Sequence, residues 1–204
     1  MPRARRKLNV LVACELSNTV RDAFLRRGHN AYSCDLQRAD YPNPYYRRHI
    51  VGDVRPLLKQ SWDLVIAHPP CTYLSILSTS NWVKGVGGEG QPNSHLIRQG
   101  AMFLLECMCA NAPMVCVENP RHHNYAKELI GIHADQEIQP WQFGHPYTKA
   151  TRLWLIGLPK LIPTDIVMPT KGQWVYTENG GRKTAKERSI TFSGIAKAMA
   201  DQWW

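Results

Sequence analysis

Residues 62–75 read W-D-L-V-I-A-H-P-P-C-T-Y-L-S, and the fold turns on this stretch. Asp63 opens it, and Leu64, Val65, Ile66 and Ala67 follow as an unbroken apolar run. Such a run has the length and composition of a strand buried on both faces, as in a parallel sheet. His68-Pro69-Pro70 then ends it. Proline cannot donate to a sheet ladder, so the strand stops and the chain turns. Cys71 is thereby delivered to the carboxyl end of a strand, where open α/β sheets bind their ligands. A free cysteine is most often a small buried hydrophobe. The rigid Pro-Pro pair before Cys71, and a second motif of matching type, set it apart from the other five cysteines.

The second motif is residues 113–120, P-M-V-C-V-E-N-P, another short apolar strand, ending in Glu118-Asn119-Pro120. A thiol and a carboxylate at the ends of two core strands are able to face one crevice, and thiolate attack assisted by a nearby carboxyl is a recognisable pairing.

Upstream, residues 8–13 form a first strand that enters the polar turn Cys14-Glu15-Leu16-Ser17-Asn18-Thr19. N-cap candidates lie at Ser17, Asn18 and Thr19. The helix over 20–27 puts Val20, Ala23 and Phe24 on one face, and Gly28 is its stop. A second strand over 30–34 ends in Asp35, and a short one over 49–51 leads to Gly52-Asp53. A strand, turn, helix and strand followed by an acidic residue suit a nucleoside cofactor. Helix N-terminal amides approach it from one side and a carboxylate takes the ribose hydroxyls. The glycine-rich fingerprint is absent, Ser17 and Asn18 standing where glycines would be.

Two stretches read as loops. Residues 36–49 carry Pro42, Pro44 and three tyrosines. Residues 72–94, with four glycines, are expected to form a mobile loop over the site. Downstream, a helix over 95–110 offers Leu96, Met102, Phe103, Leu105 and Met108 as a broad apolar face. Its Cys107 and Cys109 lack zinc-site spacing and are read as packing; no metal is expected. His122 and His123 are expected at the surface or against substrate. A short helix over 125–130, an aromatic turn over 139–144 and a strand over 152–157 follow. A Pro/Gly-rich basic segment over 159–187 separates them from a closing helix over 194–204 with Ile195, Ala198, Met199 and Trp203 inward.

At 204 residues the chain is one domain with room for a real core. Its 44% hydrophobic and 20% charged residues suit a globular protein, with no apolar run approaching a membrane span. No signal peptide is read, and six scattered cysteines fit a reducing cytoplasm. The net charge of +9, clustered at 3–7, 26–27, 47–49 and 183–188, points to a phosphate-bearing partner bound in a salt-sensitive way.

Taken in order, these motifs resemble the cytosine carbon-5 DNA methyltransferases, in particular the short phage-borne members, over nearly the whole chain. The resemblance implies an α/β, Rossmann-like S-adenosylmethionine-dependent methyltransferase fold, a mixed sheet with helices on both faces. D-L-V-I-A-H-P-P-C-T-Y-L-S is similar to the family's Pro-Cys loop and V-E-N-P to its Glu-Asn motif. That makes Cys71 the nucleophile, Glu118 the group beside the base and Asn119 a brace. T-K-A-T-R-L-W-L-I-G is similar to the Gln-x-Arg-x-Arg strand, with Arg152 as its second arginine and Ala150 at the first, Lys149 and Thr151 standing beside it. Ala13, Cys14, Glu15, Ser17, Asn18, Thr19, Asp35, Asp53 and Pro69 fall where the family holds S-adenosyl-L-methionine. Lys149, Thr151, Arg47, Arg48 and Trp82 are candidate DNA contacts. Segment 159–187 stands where longer members insert a target-recognition domain. DNA is the expected partner, with low sequence specificity, joined by a protein partner or a second copy. Two other readings remain open: an enzyme acting on a nucleotide, RNA or single-stranded DNA, and a non-catalytic member that binds nucleic acid or a host protein.

Overall fold

The structure, a computed structural model, describes residues 6–39, 45–76, 94–177 and 181–204. Its elements in chain order are β1 (Asn9–Ala13), α1 (Thr19–Arg26), β2 (Asn30–Asp35), a 3-10 turn (Tyr46–Arg48), β3 (His49–Val51) and α2 (Arg55–Leu58). Then come β4 (Leu64–Ala67), α3 (Ser94–Met108), β5 (Met114–Pro120), α4 (Asn124–Ile130), β6 (Gln136–Ile138), a 3-10 turn (Pro140–Gln142) and β7 (Thr151–Ile156). The chain closes with α5 (Ala185–Ser189) and α6 (Ser193–Gln202).

One seven-stranded sheet runs in the order β3-β2-β1-β4-β5-β7-β6. The first five strands are parallel, and β7 inserts antiparallel between β5 and β6. This is the strand order of the Rossmann-like S-adenosylmethionine-dependent methyltransferase fold, and the order reverses between β1 and β4, where such sheets open their crevice.

Period-two alternation divides the core cleanly. Val10, Val12, Leu64, Ile66, Cys116 and Leu153 face α1 and α6 with Phe24, Ile195, Met199 and Trp203. Leu11, Ala13, Val65, Ala67, Val115, Val117 and Trp154 face α3 and α4 with Ile97, Leu104, Cys107 and Ile130. Both faces of the sheet are therefore covered, which is why β1 and β4 read as continuous apolar runs.

The helix over 95–110 is present, but its inward stripe differs from the expected one. Ile97, Ala101, Leu104 and Cys107 are buried, whereas Met102 is 58% exposed. The buried set follows helical spacing, and Met102 falls on the opposite side. β6 is a three-residue edge strand with no apolar run to announce it. Segment 159–187 lies along the loop before β7 through bridges Phe143–Asp165 and Thr148–Gln173, and it shares the main core through Leu161 and Trp174. Among the described residues no helix is long and apolar enough to cross a membrane.

Candidate active site

Strand alternation assembles the site. β4 pairs with β5 in parallel, with Ala67 opposite Val117. The next residue on each strand, His68 and Glu118, follows Ile66 and Cys116 onto the face of α1 and α6. The two side chains meet there, His68 Nδ1 lying 2.9 Å from Glu118 Oε2. Asn119 points the other way and ties the two loops together. Its Nδ2 donates to Pro69 O at 2.7 Å, and its Oδ1 lies 2.8 Å from His122 Nε2.

Cys71 sits in a tight turn whose carbonyl accepts from both Leu74 N and Ser75 N at 3.0 Å. A bridge between Ser75 and His122, with His123 N donating to Leu74 O, staples this turn to the loop after β5. Cys71 and Glu118 are thus held at one edge and feel each other's charge. Burial first, and then the Glu118 carboxylate, push the Cys71 thiol up, while Lys149 and Arg188 pull it back without cancelling the rise. For Glu118 burial alone would raise the carboxyl. The His68 hydrogen bond and ring charge, with Lys149, outweigh that and leave it below its ordinary value. The resting pair is therefore a thiol and a carboxylate.

Lys149 belongs to this cluster and is half-buried. Its Nζ donates to Arg188 O at 2.8 Å, and burial lowers it while Glu118 and Cys71 pull it up. Thr151 is also internal, its hydroxyl donating to Lys149 O at 3.1 Å. Arg152, the second arginine of the strand that the family resemblance implies, is not among the groups that act on Cys71. It pairs in register with Asn119, so its side chain falls on the opposite face of the sheet, 3.4 Å from Glu137. There it lines an open cavity with His122, Lys127, His133 and Trp154, and that lining includes none of Cys71, His68, Glu118 and Lys149. The chemistry and not the hollow locates the site. Arg48 is likewise elsewhere, bonded to Asn30 at the amino end of β2 and lying over the Tyr32 ring. Arg47 is exposed beside it. Trp82 and most of segment 72–94 lie outside the described residues.

His122 and His123 are buried, at 1% and 7% exposure, and not at the surface. His123 caps α4 by accepting from Ala126 N at 3.1 Å. His122 stacks on Trp154, and burial lowers it to about 4.

The expected cofactor residues gather at the carboxyl ends of β1, β2 and β3. Glu15 N donates to Cys34 O, and Gly52 N to Asp35 O, so the Cys14 turn, Asp35 and Asp53 share one edge. Cys14 and Asn18 adopt left-handed backbone, at φ 58° and 60°, which does the turning work that glycines would do. Ser17 Oγ accepts from the Thr19 hydroxyl at 3.1 Å, and Asp35 accepts from Gln37 N at 3.0 Å. Asn18 stands at the N-cap of α1, as expected, but its side chain makes no capping hydrogen bond. The Glu15 carboxylate accepts from Val20 N at 2.6 Å and Arg21 N at 3.2 Å. Those helix amides are therefore spent inside the protein, and none of that pair is left for a ligand's anion. Such a turn suits a cofactor without phosphates, the opposite of a dinucleotide cradle. Asn18 Nδ2 is buried with no partner among the described residues, a donor waiting for an acceptor.

Sequence reasoning passed over three contributors, namely His68, Arg188 and the capping role of Glu15. The alternation Leu64-Ile66-His68 against Cys116-Glu118 carries the signal for the first. Arg188 comes from a distant segment, and nothing local announces it.

No protein-family model matches the sequence, and no curated protein matches it. Solved structures similar to it include a protein described as a DNA modification methyltransferase encoded within an E. coli prophage. The match has 14% identity and a TM-score of 0.48, covering 79% of this chain and 52% of that one. The Dnmt2 methyltransferase of S. pombe gives 13% identity and a TM-score of 0.43, over 76% of this chain and 51% of that one. The bifunctional kinase-methyltransferase WbdD gives 15% identity and a TM-score of 0.43, over 78% and 36%. The chain spans about half the length of the first of these and less of the last, and its assignment to the methyltransferase fold rests on its own strand order.

Proposed function

We propose that this chain is an S-adenosylmethionine-dependent methyltransferase that modifies carbon 5 of cytosine in DNA, with Cys71 as covalent nucleophile and Glu118 as the acid–base group. The observation that carries the reading is the meeting of the Cys71 thiol, the Glu118–His68 pair and Lys149 at the carboxyl edge of β4 and β5.

Carbon 5 of cytosine is a poor nucleophile. Addition of sulfur to carbon 6 makes it enamine-like, and the negative charge that develops is quenched by a proton on ring nitrogen 3. The site rests with one proton on sulfur and none on the carboxylate, so addition moves that proton from Cys71 toward the ring. Lys149 and Arg188 offset the thiolate's charge as it forms. In a duplex the base is first turned out of the stack.

The cofactor supplies an electrophilic methyl group when bound. Asp35 and Asp53 would take its hydroxyl and amino groups, with Ala13, Cys14, Ser17, Asn18, Thr19 and Pro69 as the surrounding wall and Glu15 holding the turn. Asp35→Ala weakens binding of the cofactor or its demethylated product by about tenfold or more, the scale of lost charge-assisted hydrogen bonds. Calorimetry checks this, and unchanged affinity rules out this edge as the pocket.

Bisulfite sequencing of DNA from cells making the protein tests the substrate. Segment 159–187 is too short for an independent domain, so methylated cytosines are expected in a short or degenerate context. Absence of methylated cytosine removes the assignment, and a single long target sequence shows that recognition resides elsewhere.

A further inference from the structure

His68 occupies an unusual position for a strand-ending residue. Its side chain is 9% exposed, and it stands between two acidic groups. Glu118 takes its Nδ1 at 2.9 Å, and Glu15, from the turn after β1, feels its charge. Because Glu118 is a carboxylate it can only accept, so Nδ1 carries the proton. The other ring nitrogen, Nε2, is buried with no partner among the described residues. A buried ring nitrogen left unsatisfied carries a cost, which an ordinary packing residue would avoid. Pro69 and Pro70 stiffen the backbone that follows, and His68 N donates to Ala13 O at 2.9 Å, so the backbone that carries the ring is held on both sides.

Resting on the methyltransferase reading above, we propose that His68 is the positioning residue of the reaction. By holding one oxygen of Glu118 it keeps the group a carboxylate, ready to take the Cys71 proton and pass it to nitrogen 3 of the target ring. The protons balance. The S–H bond breaks as the S–C6 bond forms, and the proton crosses Glu118 to nitrogen 3. When sulfur leaves carbon 6 the ring proton returns through Glu118 to sulfur. The hydrogen lost from carbon 5 is the one proton released to solvent per methyl transferred.

The groups facing Glu118 are His68 after β4, Cys71 in the next turn, Cys116 of β5 and Lys149 before β7, with Arg188 of α5 beyond Cys71 and Lys149. Burial pushes the carboxyl up, and His68 supplies most of what holds it down. The wild-type carboxylate is therefore lost only as pH falls through a lowered value. Without His68 only Lys149 opposes burial, and the loss moves to higher pH.

Carbon-13 NMR of protein labelled at glutamate carboxyls reads this directly, with no substrate or cofactor. The Glu118 signal is identified by its absence in Glu118→Gln. In His68→Phe its midpoint rises by about one pH unit or more. His68→Asn keeps an N–H donor near the Nδ1 position and restores part of the shift, which a purely structural role would not do. The acidic limb of the turnover profile moves with it. A midpoint unmoved in both variants overturns the role of His68 whatever the activity. A moved midpoint with the limb of turnover unmoved also overturns it, since Glu118 then relays no proton. Absence of turnover in the wild type instead counts against the methyltransferase reading, while the carboxyl titration still decides whether His68 holds Glu118.

Discussion

On the proposed mechanism, replacing Cys71 with serine is expected to abolish both methyl transfer and covalent capture of DNA. Burial and the Glu118 charge already push the thiol upward, so even sulfur needs its proton removed in concert with attack. A serine hydroxyl is scarcely ionised near neutrality and is a far weaker nucleophile toward carbon 6. The loss is on the order of 10⁴-fold or more, as when a nucleophile is deleted from a group of residues acting together. Cys71 is only partly buried and serine nearly matches its shape, so the fold survives, with a stability change of about 1 kcal/mol or less. Transfer of a radiolabelled methyl group checks the activity, and thermal unfolding checks the fold. Robust methylation by Cys71→Ser would mean that His68-Pro69-Pro70 serves a methyltransferase that attacks an amino group and needs no covalent step.

Glu118→Gln gives two opposite changes in one protein. Turnover falls by about a hundredfold or more, because the amide keeps the shape and still accepts from His68 but cannot carry a proton. The Cys71 thiol meanwhile becomes more reactive toward iodoacetamide at a given pH, because the second-largest influence raising it is gone. Alkylation needs neither DNA nor cofactor, so it tests the electrostatic coupling on its own. Slower alkylation in this variant would show that Glu118 does not face Cys71 with a negative charge.

The placement of Cys71 and Glu118 at the ends of two core strands was legible in the sequence, because each apolar run is closed by proline. An apolar run stopped by proline fixes where β4 ends, and V-C-V-E-N-P fixes β5 in the same way. Arg152 against Lys149 shows where that reading stops. The family pattern favours the arginine, yet one residue of strand parity puts Arg152 on the α3 and α4 face with Trp154. Lys149, in the loop before β7, reaches the site only because Gln139 Oε1 accepts from its backbone N–H at 2.9 Å and Arg188 O from its Nζ. No local pattern encodes either contact.

The turn after β1 shows a different limit. Ser17, Asn18 and Thr19 are ordinary N-cap residues, but Glu15 reaches the amides of Val20 and Arg21 from outside the helix. It does so while buried at 3% exposure: burial pushes the carboxyl up, and His68, the two amides and Arg21 offset part of that rise. Short elements were missed for want of signal: β6 is polar, and α2 has four residues. The helix α5 was readable after all, since Thr184 and Glu187 form a reciprocal capping box.

The most direct measurement is mass spectrometry of the protein incubated with cofactor and an oligonucleotide carrying 5-fluorocytosine. Fluorine cannot leave as a proton does, so the adduct formed by sulfur at carbon 6 does not resolve. The account predicts a cofactor-dependent covalent complex whose DNA-bearing peptide contains Cys71, absent in Cys71→Ser and slowed in Glu118→Gln. A methylating protein that yields no adduct, or an adduct mapped to any other cysteine, would contradict it.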